Sequence, residues 1–175
     1  PVEVSIPDSN LRAALESALG KNAGDAITDA ELATLTQLDA RKSSISDLTG
    51  LEYCVSLTSL RLWSNEISDI SPLANLTGLT YLDLQGNSIS DITPVANLTN
   101  LTGLYLKENP LAASALPIIQ DLQAGGTEFQ WFNETHRNIW DDNLKAALES
   151  ALGKNAGDTI TDIELITPAF GKVDA

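Results

Sequence analysis

The sequence has no methionine, one cysteine (Cys54), one histidine (His136) and only three each of Trp, Tyr and Phe in 175 residues. A single cysteine excludes an internal disulfide and any Cys-rich zinc site. One histidine leaves no paired-His metal spacing, and neither a Gly-rich phosphate loop nor a nucleophile elbow occurs. Positive charge is scarce as well: ten Lys and Arg stand against twenty-four Asp and Glu, a net charge of −14. Affinity for nucleic acid comes largely from Lys and Arg neutralising phosphates, so DNA, RNA and anionic lipid heads are disfavoured partners. No apolar run approaches the ~18 residues of a membrane span, so no membrane insertion is expected. The first residues lack the basic-then-apolar layout of a signal peptide. With Pro1 at its start and no Met, the chain is expected to be a piece of something longer.

What the chain does have is enough apolar residue for a core, 43% with a mean hydropathy of −0.02, arranged with a period. Four ungapped units of 22 residues start at Leu35, Leu57, Leu79 and Leu101. Leucine recurs at the fourth position (Leu38, Leu60, Leu82, Leu104), and Ala40, Leu62, Leu84 and Leu106 occupy the sixth. The ninth position holds Ser43, Asn65, Asn87 and Asn109, and the eleventh Ile45, Ile67, Ile89 and Leu111. Alternating x-L-x-L makes a short strand with its leucines on one face. The Asn that follows has donors and an acceptor for the backbone where the chain turns. No unit buries its apolar face alone, so stacking must build one core and one parallel sheet.

This pattern resembles the leucine-rich repeats of bacterial internalins over residues 35–122. The fold expected is α/β: a leucine-rich-repeat solenoid with a short parallel β-sheet on its concave face and helical caps. Residues 1–34 are assigned to an N-terminal helical cap similar to that of internalins. In it, Leu11, Ala14, Leu15, Ala18 and Leu19 form one stripe, Asp8 or Ser9 caps the helix, and Gly20 stops it. Thr28 and Glu31 fit a capping box opening a second helix. The fourth unit departs from the pattern after Leu111: AASALPIIQDLQAGG predicts a helix and a turn, and TEFQWF a fifth strand with Phe129 and Trp131 inward, so that 123–138 terminates the array. Residues 139–165 then repeat residues 6–32 with 22 of 27 positions identical. Segment 139–175 is thus a second copy of the cap, either a C-terminal cover or the start of a further block.

Outward strand positions line the concave face, the usual contact surface of solenoids. The third position holds Gln37, Ser59, Tyr81 and Gly103, the fifth Asp39, Arg61, Asp83 and Tyr105, and the seventh Arg41, Trp63, Gln85 and Lys107. Lys42 lies beside this face, so four of the ten basic residues are on or next to it. The candidate ligand-binding set is Arg41, Arg61, Trp63, Tyr81, Asp83, Gln85, Tyr105 and Lys107, since Trp, Tyr and Arg give contact area with a polar handle. The plainer reading is that Tyr and Trp suit strands and stack across them.

Two calcium readings are weak. The column Asp47, Asp69, Asp91 offers one Asp beside one Ser per turn, where calcium wants six or more oxygens. The cap segment GKNAGDAITDAE, similar to a degenerate EF-hand in internalins, lacks most charged ligands. No metal and no cofactor are expected, and no catalysis. Cys54, at a position otherwise filled by Leu76 and Leu98, is expected to be buried and inert. The sequons at Asn75, Asn97, Asn100 and Asn133 come mostly with the repeat's own wording.

The resemblance implies a protein-interaction module of a bacterial secreted or surface protein, extracellular, binding a protein ligand on the concave face. The alternatives are a structural spacer or self-associating unit acting through the duplicated cap, and carbohydrate binding by the exposed aromatics.

Overall fold

The computed structural model describes residues 1–130. The expectations for side chains from Glu128 onward, for His136 and for the second cap copy lie outside the described residues. Helix α1 (Ser9–Leu19) and helix α2 (Asp29–Leu32) form the cap. Strands β1 (Gln37–Asp39), β2 (Ser59–Arg61), β3 (Tyr81–Asp83) and β4 (Gly103–Tyr105) follow at one per unit. Helix α3 (Ala115–Ala124) leads to β5 (Glu128–Gln130). The sheet runs β1-β2-β3-β4-β5 with every pair parallel.

Sequence period becomes register directly. Leu38 lies opposite Leu60, Leu60 opposite Leu82 and Leu82 opposite Leu104, so one leucine column becomes one buried row. On the far side, short 3-10 turns at Leu51–Tyr53, Ser71–Leu73 and Thr93–Val95 return the chain. Their apolar residues Leu51, Leu73 and Val95 close the same core. Burying a leucine side chain stabilises by roughly 1.5–3 kcal/mol, and a neighbour on each side makes that burial possible for residues that no single unit could cover.

The cap is tied to the first unit by polar contacts. Asp8 is the N-cap of α1: its Oδ1 accepts from the backbone N–H of Asn10 and Leu11, both at 2.9 Å. Its Oδ2 accepts from the backbone N–H of Ser46 (2.8 Å) and Asp47 (3.2 Å). One carboxylate therefore both starts the helix and holds the first repeat's turn. Gly20 (φ 68°) ends α1, as expected. The Thr28–Glu31 capping box is present in full.

Two features of the cap depart from the expected stripe. Ala18 is exposed, and Glu16 is buried at 6% exposure. The Glu16 carboxylate is satisfied there, accepting from Arg12 Nε at 3.0 Å and from the Gly24 N–H at 2.9 Å, so it folds the α1–α2 loop onto the helix. Residues before α1 also add an extended edge: the Val4 N–H donates to the Ile27 carbonyl and the Asp29 N–H to the Val2 carbonyl.

Gly50 marks a close approach between cap and repeat. Its φ is 105°, and a Cβ built there would come 2.8 Å from Ile6 Cγ1. Gly50→Ala is expected to destabilise by about 1–2 kcal/mol, from backbone strain plus displacement of Ile6. Urea unfolding followed by far-UV circular dichroism measures it; an unchanged midpoint would contradict this account.

Candidate functional site

Each strand is followed by a tight turn whose conformation the repeat fixes. The eighth position of every unit, Lys42, Ser64, Gly86 and Glu108, has positive φ between 53° and 62°. The N–H of the first three donates to the next unit's seventh-position carbonyl, on Trp63, Gln85 and Lys107. Only Gly86 advertises this left-handed conformation in the sequence; for the other three it costs on the order of 1 kcal/mol or more. In the first unit this turn brings the Lys42 side chain onto the Trp63 ring of the next unit.

The asparagine column secures this geometry from inside. Asn65 Oδ1 accepts from the N–H of Ser43 (3.0 Å) and Ile45 (3.1 Å), while Nδ2 donates to the carbonyls of Ala40 and Leu62. Asn87 and Asn109 follow one and two units on, each donating to the same two carbonyl positions and accepting from the eleventh-position N–H of the preceding unit. The Asp47, Asp69 and Asp91 carboxylates cap the next turn, each accepting from the N–H two residues on, at Thr49, Ser71 and Thr93. These hydrogen bonds hold Asp91 below the usual carboxylate range, Thr93 Oγ1 contributing most.

On the concave face the structure brings most of the candidate set into two stacks. In the first, Lys42 Nζ lies 4.5 Å and the Arg41 guanidinium 5.8 Å from the Trp63 ring centroid. Arg41 Nε also pairs with Asp39 at 2.6 Å. In the second, the Arg61 guanidinium sits 5.2 Å over Tyr81, whose ring is 5.1 Å from that of Tyr105 at a tilt of 40°. Gly103 makes the second stack possible: a Cβ there would meet Tyr105 Cε2 at 3.2 Å and Tyr81 Cδ2 at 3.6 Å. Each cation–π contact contributes about 0.5–1 kcal/mol at an exposed site, and the tyrosine pair about 0.5–1.5 kcal/mol. Lys107 lies to one side, paired with Glu108 at 3.3 Å.

Asp83 corrects the sequence reading. It was expected on the open face and is instead buried, at 6% exposure. Its register neighbours are Arg61 and Tyr105, and its Oδ1 accepts from the backbone N–H and the Nε2 of Gln85. Asp83 thus positions Gln85 and offers a ligand little surface. Lys42, which stood only beside the expected face, belongs to it, because the left-handed turn aims its ammonium at Trp63. Cys54 is fully buried, and burial pushes its thiol up to about 12, with Glu52 adding to the shift.

A stack of parallel strands with an asparagine ladder at each turn is a leucine-rich-repeat solenoid. A family model described as leucine rich repeat matches residues 55–111. Internalin J of Listeria monocytogenes serotype 4b (strain F2365) is 44% identical over 52 residues, which are 30% of this chain and 6% of that protein. The crystal structure of an internalin (inlF) from Listeria monocytogenes superposes with a TM-score of 0.65 at 32% identity, covering 82% of this chain and 41% of that one. The functional domain of internalin J aligns at 33% identity over 61% of this chain and 28% of that one, with a TM-score of 0.48. The repeat, the sequence match to internalin J and the likeness to the inlF structure make this a leucine-rich-repeat protein similar to bacterial internalins. It spans less than half the length of each of these three relatives. Proteins of this class generally bind other proteins. Among the described residues no helix is long and apolar enough to cross a membrane.

Proposed function

We propose that this chain is a protein-interaction module of a secreted or surface protein and that its ligand docks on the concave face, centred on Trp63. The observation that carries this is the pair of cation–aromatic stacks: Trp63 under Arg41 and Lys42, and Tyr81 under Arg61 beside Tyr105. Rigid aromatics flanked by Arg are what interface hot spots are made of. Carbohydrate binding is less well supported, since a sugar stacks on a ring face and here cations already lie over the Trp63 and Tyr81 rings. Five strands about 4.8 Å apart offer a few hundred Å², against ~800 Å² per partner in a standard interface. The ligand therefore also reaches the strand-end turns or the cap.

Trp63→Ala, and separately Tyr105→Ala, are expected to weaken capture of the partner by about tenfold or more while the far-UV spectrum stays native. Affinity capture with immobilised wild-type and variant chains reads this out. Partners retained equally by both folded variants would overturn the site.

A second reading is favoured by one observation. The residues by which the cap grips the first repeat, or packs beneath it, are Ile6, Asp8, Asn10, Leu11 and Leu15. They recur in the second copy as Ile139, Asp141, Asn143, Leu144 and Leu148. That copy is thereby equipped in sequence to cover the first repeat of another chain. Concentration-dependent mass by light scattering, reduced in Asp141→Ala, is the expected result; a monomer at every concentration removes this reading.

A further inference from the structure

The concave face carries charge of the opposite sign to the chain. Residues 1–130 contain six Lys and Arg. Arg12 and Lys21 are used inside the cap, paired with Glu16 and Glu31. The other four, Arg41, Lys42, Arg61 and Lys107, all stand at the C-terminal ends of β1, β2 and β4 or just beyond them. Among the described residues, which include sixteen Asp and Glu, Lys42 and Arg61 nonetheless have no carboxylate partner and rest on ring faces instead. The pairs Arg41–Asp39 (46% and 42% exposed) and Lys107–Glu108 (23% and 57%) are open to solvent on at least one side, so an incoming carboxylate can exchange into them at little cost. Asp83, the acid in the middle of the face, is buried, and its Oδ1 is taken up by the Gln85 donors. Acids elsewhere are committed to turns, as with Asp8, Asp47, Asp69 and Asp91.

Resting on the reading of this face as protein-binding, we infer that the ligand is an acidic segment of a partner protein, its carboxylates on Lys42 and Arg61 and an apolar side chain over the Trp63 and Tyr81 edges. The rings hold the two cations in place before binding, which lowers the entropy lost when a carboxylate arrives. They also keep the cations partly desolvated, which strengthens each ion pair formed. The surrounding charge of −14 acts against any acidic approach from other directions, so only a ligand that reaches this strip gains. At physiological ionic strength that wider repulsion is screened beyond ~8 Å, while contacts on the strip are not. The charge distribution thus selects for where an acidic chain docks as well as whether it does.

The test uses the full chain against arrayed short synthetic peptides in three sets matched in apolar content: Asp/Glu-rich, Lys/Arg-rich and uncharged. Binding to the acidic set is expected, weakened about tenfold or more by Lys42→Glu and by Arg61→Glu. Lys42 is exposed and Arg61 half-buried on Tyr81, so the melting curve of each variant is measured alongside, and Lys42→Ala and Arg61→Ala serve as milder controls that add no negative charge. Binding of uncharged or basic peptides that is lost in Trp63→Ala but indifferent to Lys42 and Arg61 overturns the acidic ligand while leaving the protein-binding reading in place. Capture of acidic glycans with no peptide binding overturns both. Binding to no peptide set overturns the inference, and the partner capture above then decides the broader reading separately.

Discussion

Asn87→Ala is expected to destabilise the protein by about 2–4 kcal/mol, a sizeable part of the 5–15 kcal/mol that holds an ordinary domain together. Asn87 is 8% exposed. Its Oδ1 accepts from the Ile67 N–H at 3.1 Å, and its Nδ2 donates to the carbonyls of Leu62 (3.0 Å) and Leu84 (2.9 Å). These groups belong to two successive units, and each stranded buried group costs about 1–3 kcal/mol. Alanine strands the Ile67 N–H outright and takes one of two donors from each carbonyl, which Asn65 and Asn109 still reach at 2.8 Å. Asn87→Asp keeps the acceptor but sets a carboxylate against two carbonyls, so it is expected to lose nearly as much. Ser43 stands at the same repeat position in the first unit and donates through Oγ to the Arg41 carbonyl at 3.0 Å; Ser43→Ala is expected to cost under about 1 kcal/mol. Urea unfolding of the three variants under one set of conditions measures the ranking. A cost for Asn87→Ala no larger than for Ser43→Ala would mean that the ladder is decorative.

That contrast also explains which parts of the structure were legible. The leucine and asparagine columns are readable because the repeat states them several times over, and a parallel sheet with one strand per unit has only one register that keeps every leucine inside. The capping box at Thr28 and the stop at Gly20 are readable because each is a local side-chain chemistry. The eighth-position turn is not, because the hydrogen bond to the next unit holds Lys42 and Ser64 in a conformation that only Gly86 prefers, and Glu108 adopts it as well. Period alone made Asp83 an outward residue like Asp39. Its burial follows from the bulk of its neighbours: Tyr81 and Tyr105 lean together over Gly103, and Gln85 closes the remaining side. The same blindness hid the burial of Glu16: Arg12 reaches it from one helical turn away, but the Gly24 N–H does so only once the loop folds back. Of the candidate site, then, the identities on the strip were visible in the sequence, and their pairing into two cation–aromatic stacks was not.

Asp8→Ala is expected to cost about 2–3 kcal/mol, because the change uncaps α1 and unties it from the first repeat together. Loss of an N-cap alone costs about 0.5–2 kcal/mol, and the Ser46 and Asp47 N–H groups lose a charged acceptor besides. Asp8→Asn separates the two parts, since asparagine caps a helix almost as well and carries no charge. The wild-type advantage over Asp8→Asn should then depend on pH. Burial raises the Asp8 carboxyl, but the N–H groups of Ser46, Leu11, Asp47 and Asn10 outweigh it and hold the group below its ordinary 3.8. A carboxylate whose pKa is depressed by folding contributes stability that is fully present above the unfolded value and is lost as pH falls through the folded one. Glu31, brought down to about 2 by Lys21 and Thr28, and Asp29, brought down by the Val2 and Ala30 N–H groups, lose theirs over the same acid range. Those losses are common to both proteins and cancel in the difference. Urea unfolding of wild type and Asp8→Asn at steps from pH 7 to pH 3 should therefore show a constant gap down to about pH 4.5 and a narrowing one below it. A gap that stays constant through pH 3, or widens there, would show that the Asp8 charge is not what joins the cap to the array.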